Sequence, residues 1–209
     1  MRFTSISVTS PSFNDFQFTP TESITVIRGR YSDTVLDLMR GATENYEDSG
    51  CDGNLRFTLH ADVELDGKEY SILYISNDEE LNDSLTSVKL KDSGDKFSFG
   101  DALDFINKCN EINTNDLNIF DREKLFFDAI LSEGELWLRS FDKFLSEAPE
   151  NDTRPLFIYG LLDRIDEATD ILPLFEKLAA LERQVYISVC PAFSSSRLKG
   201  ANAQLVDTE

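Results

Sequence analysis

Near the start of the chain, apolar side chains recur at short intervals along extended segments. Phe3, Ile6 and Val8 open the first segment, with a slip in spacing between Phe3 and Ile6. Phe13, Phe16 and Phe18 follow after Pro11, and Ile24-Thr25-Val26-Ile27 is bounded by Pro20 and Gly29. Short apolar segments separated by Pro, Ser, Asn and Asp predict a β meander. Asp33 to Arg40 reads as a helix with Val35, Leu36, Leu38 and Met39 as its apolar face, and Ser32 or Asp33 could cap its start. Glu44 to Asn54 is polar and predicts a loop. Leu55 to Leu59 and Glu69 to Ile75 then flank Asp66-Gly67, the turn pair of a tight hairpin.

Asn77 to Asp95 is polar apart from a short strand expected at Val88 to Leu90. Helices are expected over Gly100 to Cys109, Arg122 to Ile130 and Glu133 to Ala148, with an Asn/Thr-rich loop over Asn110 to Asn118. Beyond Pro155 the period changes. Leu156-Phe157-Ile158-Tyr159 is a continuous apolar run of the kind that suits a strand buried on both faces. Glu167 to Leu181 predicts an amphipathic helix carrying Ile171, Leu174, Phe175 and Leu178. Val185-Tyr186-Ile187-Ser188-Val189 predicts a second buried strand. Strand, helix, strand is a βαβ unit and implies a parallel pair.

A chain of 209 residues suffices for one sizeable domain, with room for an insertion around 44–117. Hydrophobic residues at 41% and charged residues at 28% predict a folded protein, and 16 phenylalanines predict an aromatic core. The formal net charge of −19 opposes general DNA or RNA binding and anionic membranes, because such a surface repels phosphate at long range. Cys51, Cys109 and Cys190 are odd in number and far apart, and His60 is the only histidine. A disulfide framework and a Cys/His zinc site are therefore not expected. His60 has no evident partners for a Ser-His-Asp triad, and Cys190 has no evident base. Glu44, Glu47, Asp48 and Asp52 crowd a loop without the spacing of a calcium-binding hand. No apolar run is long enough to span a membrane, and a cytoplasmic setting is expected.

Four features fall in a telling order. The meander ends in Ile24-Thr25-Val26-Ile27-Arg28-Gly29 and leads into a helix. Leu131-Ser132-Glu133-Gly134-Glu135 opens another helix. The strand Leu156 to Tyr159 runs into Leu161-Leu162-Asp163-Arg164-Ile165-Asp166, and a helix later leads to Val185 to Val189. This arrangement resembles the ATPase head of the RecF/SMC branch of ABC-type P-loop proteins. The resemblance implies an α/β, P-loop-like fold over 1–209, with an N-terminal antiparallel β layer and flanking helices.

Within that resemblance the catalytic motifs are missing. A phosphate loop needs G-x-x-x-x-G-K-[ST], whose backbone N–H groups wrap phosphates, whose lysine neutralises them and whose hydroxyl holds magnesium. Here Gly29 is followed by Arg30-Tyr31-Ser32-Asp33, with no lysine and an acid near the expected phosphate position. Matching Asp166 to the family's D-loop aspartate puts Tyr159 and Gly160 where a metal-holding Asp and a water-polarising Glu belong. The switch histidine is replaced by Cys190-Pro191. No catalytic residue, cofactor or metal is expected. What survives, Ser132, Gly134, Glu135, Asp163 and Asp166, corresponds to partner-facing positions of the family. The resemblance implies a protein partner, either an active ABC-type ATPase or a second copy of the chain. Ser132 with Glu135 also reads as a plain capping box. The other functional class is an enzyme of unrelated chemistry on an α/β sheet, for which no compact set of acid, base and nucleophile is evident.

Overall fold

The structure is a computed structural model that describes residues 1–10, 13–44, 56–77, 85–111 and 154–208. Among these residues the strands form two sheets. The first contains β1 (Arg2–Ser10), β2 (Phe13–Phe18), β4 (Arg56–Leu65), β5 (Lys68–Asn77) and β6 (Leu85–Leu90), in the order β2-β1-β4-β5-β6. All of its pairings are antiparallel. The second contains β3 (Ile24–Arg28), β7 (Leu156–Tyr159), β8 (Val185–Val189) and β9 (Ala203–Asp207), in the order β7-β8-β3-β9, and every pairing is parallel. The helices are α1 (Ser32–Glu44), α2 (Phe99–Glu111) and α3 (Leu172–Ala179).

The antiparallel sheet is built by strict alternation. Along β4, Phe57, Leu59, Ala61, Val63 and Leu65 are buried while the residues between them are partly or fully exposed. Pairing aligns Ile6, Ala61, Ile72 and Val88 in one row of the inner face. The β4–β5 turn is the expected Asp66-Gly67, with φ of 52° and 71°. Positive φ at both central residues matches the right-handed twist of the strands it joins. β4 to β6 lie inside the stretch 44–117, and β4 pairs directly with β1.

β7 and β8 bury both of their faces, as their sequences predict. Phe157 and Tyr186 face the core shared with the antiparallel sheet. Leu156, Ile158, Val185, Ile187 and Val189 face a second core under α3, with Leu174, Phe175 and Leu178. α1 lies between the sheets, packed on β4 and β5 and on β7 and β8. Its Val35, Leu36, Leu38, Met39 and Ala42 are wholly buried. Each such aliphatic side chain of Val or Leu size removed from water contributes about 1.5–3 kcal/mol, so α1 is a main source of adhesion between the layers.

Three expectations from the sequence need correction. The meander expected to end in Ile24 to Ile27 stops with β2, and Ile24–Arg28 lies between β8 and β9 in the parallel sheet, where its buried side chains meet apolar groups on both faces. The helix expected over Glu167 to Leu181 is confined to Leu172–Ala179. Asp166 accepts the Ala168 N–H at 2.8 Å and Asp170 accepts the Leu172 N–H at 3.0 Å, so the preceding residues turn instead. Pro173, with no N–H to donate, suits the first turn of a helix and not its interior. β9 was not expected at all; it is a half-exposed edge strand with no clear alternation. The helices expected over Arg122 to Ile130 and Glu133 to Ala148 lie outside the described residues, as does the acidic loop around Cys51 except for Glu44, which ends α1.

Candidate functional site

In an open parallel sheet, ligands bind beyond the carboxyl ends of the strands, where loops and helix N-termini converge. Here those ends are Arg28, Tyr159, Val189 and Asp207. Three residues, Gly29 to Tyr31, connect β3 to α1. Gly29 donates its N–H to Val189 O at 3.1 Å and has φ of 147°. A Cβ at Gly29 would overlap the Thr208 hydroxyl, so both the backbone angle and the close approach of the chain after β9 require glycine. Thr208 holds its place by donating its N–H to Arg28 O at 3.0 Å.

The start of α1 turns toward β8. The Ser32 hydroxyl donates to Val189 O at 3.1 Å, and Asp33 accepts from the Ser188 hydroxyl. Ser188 is fully buried, and its oxygen also accepts the Gly160 N–H at 3.1 Å. One turn further along α1, buried Asp37 accepts from the Tyr159 hydroxyl at 2.9 Å. Burial and the Asp37 carboxylate push the Tyr159 phenol well above its ordinary range, against the opposing pull of Arg40, so Tyr159 stays neutral and donates. Gly160 has φ of 58°, the left-handed geometry that lets the chain leave β7 in a tight turn.

Of the residues singled out in the sequence, Asp163 and Asp166 lie on this rim, both exposed, in the turn after β7. Asp163 Oδ2 accepts the Cys190 N–H at 2.8 Å, which ties this turn to the end of β8. Asp166 uses Oδ1 on its own turn, at Ala168. Arg197 completes the brace, donating to Leu162 O and Asp166 O, both at 3.1 Å, while its guanidinium lies 5.6 Å from the centre of the Phe193 ring. Ser132, Gly134 and Glu135 lie outside the described residues. Burial and Asp163 raise the Cys190 thiol above its ordinary value, which disfavours the thiolate a nucleophile needs. Arg28 is committed: its Nε and a terminal nitrogen contact the two Asp207 carboxylate oxygens at 2.6 and 2.9 Å, and it also donates to Phe193 O at 3.1 Å.

Sequence reasoning missed Ser188, Asp37, Thr208 and Arg197. A serine in the otherwise apolar run Val185 to Val189 was the one available signal for Ser188, since a buried hydroxyl needs a partner. An open cavity of about 660 Å³ lies elsewhere, beside Ser23 and Gln184 at the N-terminal ends of β3 and β8 and lined also by Arg2, Glu22 and Glu182.

With this geometry, the chain is similar in fold to the SMC head domain from Thermotoga maritima. The alignment covers 97% of this chain and 93% of that one, with a TM-score of 0.52 and 14% sequence identity. A crystal structure of the SmcHead bound to the C-winged helix domain of ScpA aligns over 96% of this chain and 92% of that one, with a TM-score of 0.49 and 11% identity. No protein-family model and no curated protein matches the sequence. The mixed α/β architecture, with its antiparallel layer and parallel sheet, is therefore a P-loop-like fold shared with the SMC head domain. Among the described residues, no helix is long and apolar enough to cross a membrane.

Proposed function

We propose that this chain is a catalytically inactive module of the ABC/SMC head type that works through protein–protein contact, with an active ABC-type ATPase or a second copy of itself as partner. The observation that carries this reading is the self-saturated rim of the parallel sheet. A magnesium nucleotide needs a lysine, a wrapping loop and a free acid at the strand tips. The residues present do not fit that group. The β3–α1 connection is Gly29-Arg30-Tyr31 with Thr208 against Gly29; Asp33 is engaged with Ser188; and Tyr159 and Gly160 stand at the tip of β7, bonded to Asp37 and Ser188.

The partner contact centres on the turn Asp163 to Asp166, together with the start of the Ser132 to Glu135 segment. The turn is braced from behind by Arg197 and the Cys190 N–H, so it is presented to solvent with little conformational entropy left to lose on docking. Its carboxylates suit a basic surface, and a chain at −19 would attract one at long range.

Two measurements test the reading. Hydrolysis of Mg-ATP and Mg-GTP by the isolated chain is expected at buffer level, and turnover that a single rim substitution abolishes would refute inactivity. For the contact, the wild-type chain and a Ser132→Arg, Asp166→Arg variant of equal melting temperature are compared by sedimentation, alone and with an ABC-type ATPase from the same source. A complex that forms with wild type and is lost in the variant is expected. An equal complex in both, or none in either, refutes the interface.

A further inference from the structure

We propose that the chain's own side chains fasten the start of α1 to the tips of β7 and β8, doing there what a bound phosphate and metal would do in a nucleotide-holding protein of this fold. The proposal rests on the reading that the rim does not take a magnesium nucleotide.

Beside the bond from the Ser32 hydroxyl to Val189 O, two further links make the fastening. In the first, the Ser188 hydroxyl is a relay: it donates to Asp33 on the first turn of α1 and accepts the Gly160 N–H at 3.1 Å from the end of β7. One buried oxygen thereby joins α1, β7 and β8, sharing the Gly160 N–H with the Ser188 carbonyl, which accepts it at 3.2 Å. In the second, Tyr159 at the last position of β7 donates to Asp37 at 2.9 Å, one helical turn beyond Asp33. Asp33 and Asp37 are four residues apart and so lie on the same face of α1. Both carboxylates accept from neutral hydroxyls, an arrangement that strengthens a hydrogen bond relative to a neutral pair. Asp33 also sits in the first turn of the helix, where the macrodipole favours negative charge. An anionic ligand at this end would meet that carboxylate, and a metal between β7 and α1 would have to displace the Tyr159–Asp37 bond.

The consequence is mechanical. α1 packs on β4 and β5 on one side and on β7 and β8 on the other. Fixing its first two turns to the strand tips holds the two sheets in one arrangement without a ligand. The braced turn at Asp163 to Asp166 begins three residues after Gly160, so the same fastening positions the surface proposed above for partner contact.

Amide hydrogen exchange of the full chain tests this, read at Val35 to Leu38 in the first turns of α1. Without nucleotide these amides are expected to be protected, and Mg-ATP is expected to leave their rates unchanged. Ser188→Ala and Tyr159→Phe are each expected to raise the rates by about five- to tenfold, the equivalent of one lost hydrogen bond. Should Ser188→Ala fail to fold, Tyr159→Phe removes a single oxygen and carries the test alone. Open-chain rates in the wild type, slowing by Mg-ATP, or unchanged rates in the folded variants would each overturn the proposal. Failure of the inactive reading shows separately, as nucleotide turnover, and a chain that turns over ATP yet keeps α1 protected without it fails only that reading.

Discussion

Gln184 and Phe3, 181 residues apart, close a two-point hydrogen-bonded ring: the Phe3 N–H donates to Gln184 Oε1 at 2.6 Å, and Gln184 Nε2 donates to the Phe3 carbonyl at 2.8 Å. Both bonds are buried, and they staple the start of β8 to the start of β1, parallel sheet to antiparallel sheet. Gln204 on β9 repeats the device, accepting from Thr21 N at 2.9 Å and donating to Thr19 O at 3.1 Å, but in an exposed setting.

The buried staple should matter far more than the exposed one. Gln184→Ala leaves a buried backbone donor and acceptor without their partner, and is expected to cost about 2–4 kcal/mol. Gln204→Ala lets water replace the lost bonds and is expected to cost less than about 1 kcal/mol. Urea unfolding of both variants gives the comparison; equal losses would count against the staple.

Gly41 sets a close approach between α1 and the antiparallel sheet. A Cβ there would lie 2.7 Å from the Tyr74 hydroxyl oxygen and 2.9 Å from the ring carbon that bears it. Gly41→Ala would gain about 1 kcal/mol of helix propensity. Overpacking a buried site costs about 1–3 kcal/mol, and Tyr74, itself buried, has little room to withdraw. Net destabilisation is expected, with part of it recovered by Tyr74→Phe, which removes the nearest atom. A more stable Gly41→Ala protein in thermal denaturation would refute the tight fit.

Tyr186 stacks on Phe157 and meets Phe3 edge-on, fully buried, and its hydroxyl has no hydrogen-bond partner among the described residues. Burial accordingly pushes its phenol well above the ordinary value. Tyr186→Phe keeps both ring contacts and removes an uncompensated polar atom. Its effect is expected to be neutral or stabilising by about 1 kcal/mol. A loss above that size in chemical denaturation would mean the hydroxyl is satisfied.

The Arg28–Asp207 pair gives a pH signature. Hydrogen bonding from the Arg28 guanidinium holds the Asp207 carboxyl below its usual range, outweighing the opposing effect of burial. The folded state therefore releases this proton more readily than the unfolded chain. The stabilisation is fully present above the unfolded aspartate value of about 3.9 and is lost as pH falls through the lower folded value. Asp207 is 52% exposed, so the effect is small and screened by salt. At low ionic strength, the gap in melting temperature between wild type and Asp207→Asn is expected to hold above about pH 5 and narrow below about pH 4. A constant gap through that range would exclude the assignment.

Local pattern alone determined much of this protein. Leu156 to Tyr159 and Val185 to Val189 were legible as a doubly buried parallel pair because alternate side chains leave a strand on opposite faces, so apolar residues at successive positions imply two cores. Asp66-Gly67 was legible because few residue pairs accept positive φ twice in succession. The order of these elements pointed to the head-type fold. β9 was not legible: a half-exposed edge strand needs no alternation, and its partner β3 lies some 180 residues away. Nor did the sequence single out Gln184 or Ser188, since a polar residue between apolar ones gives no sign of which distant group it will satisfy. Asp33 read as an acid ill-placed for phosphate, and only the strand order β7-β8-β3 brought Ser188 within its reach. The turn at Asp163 and Asp166 could be picked out by motif, but its hydrogen bonds from Arg197 and the end of β8 are made only once the chain has folded back on itself.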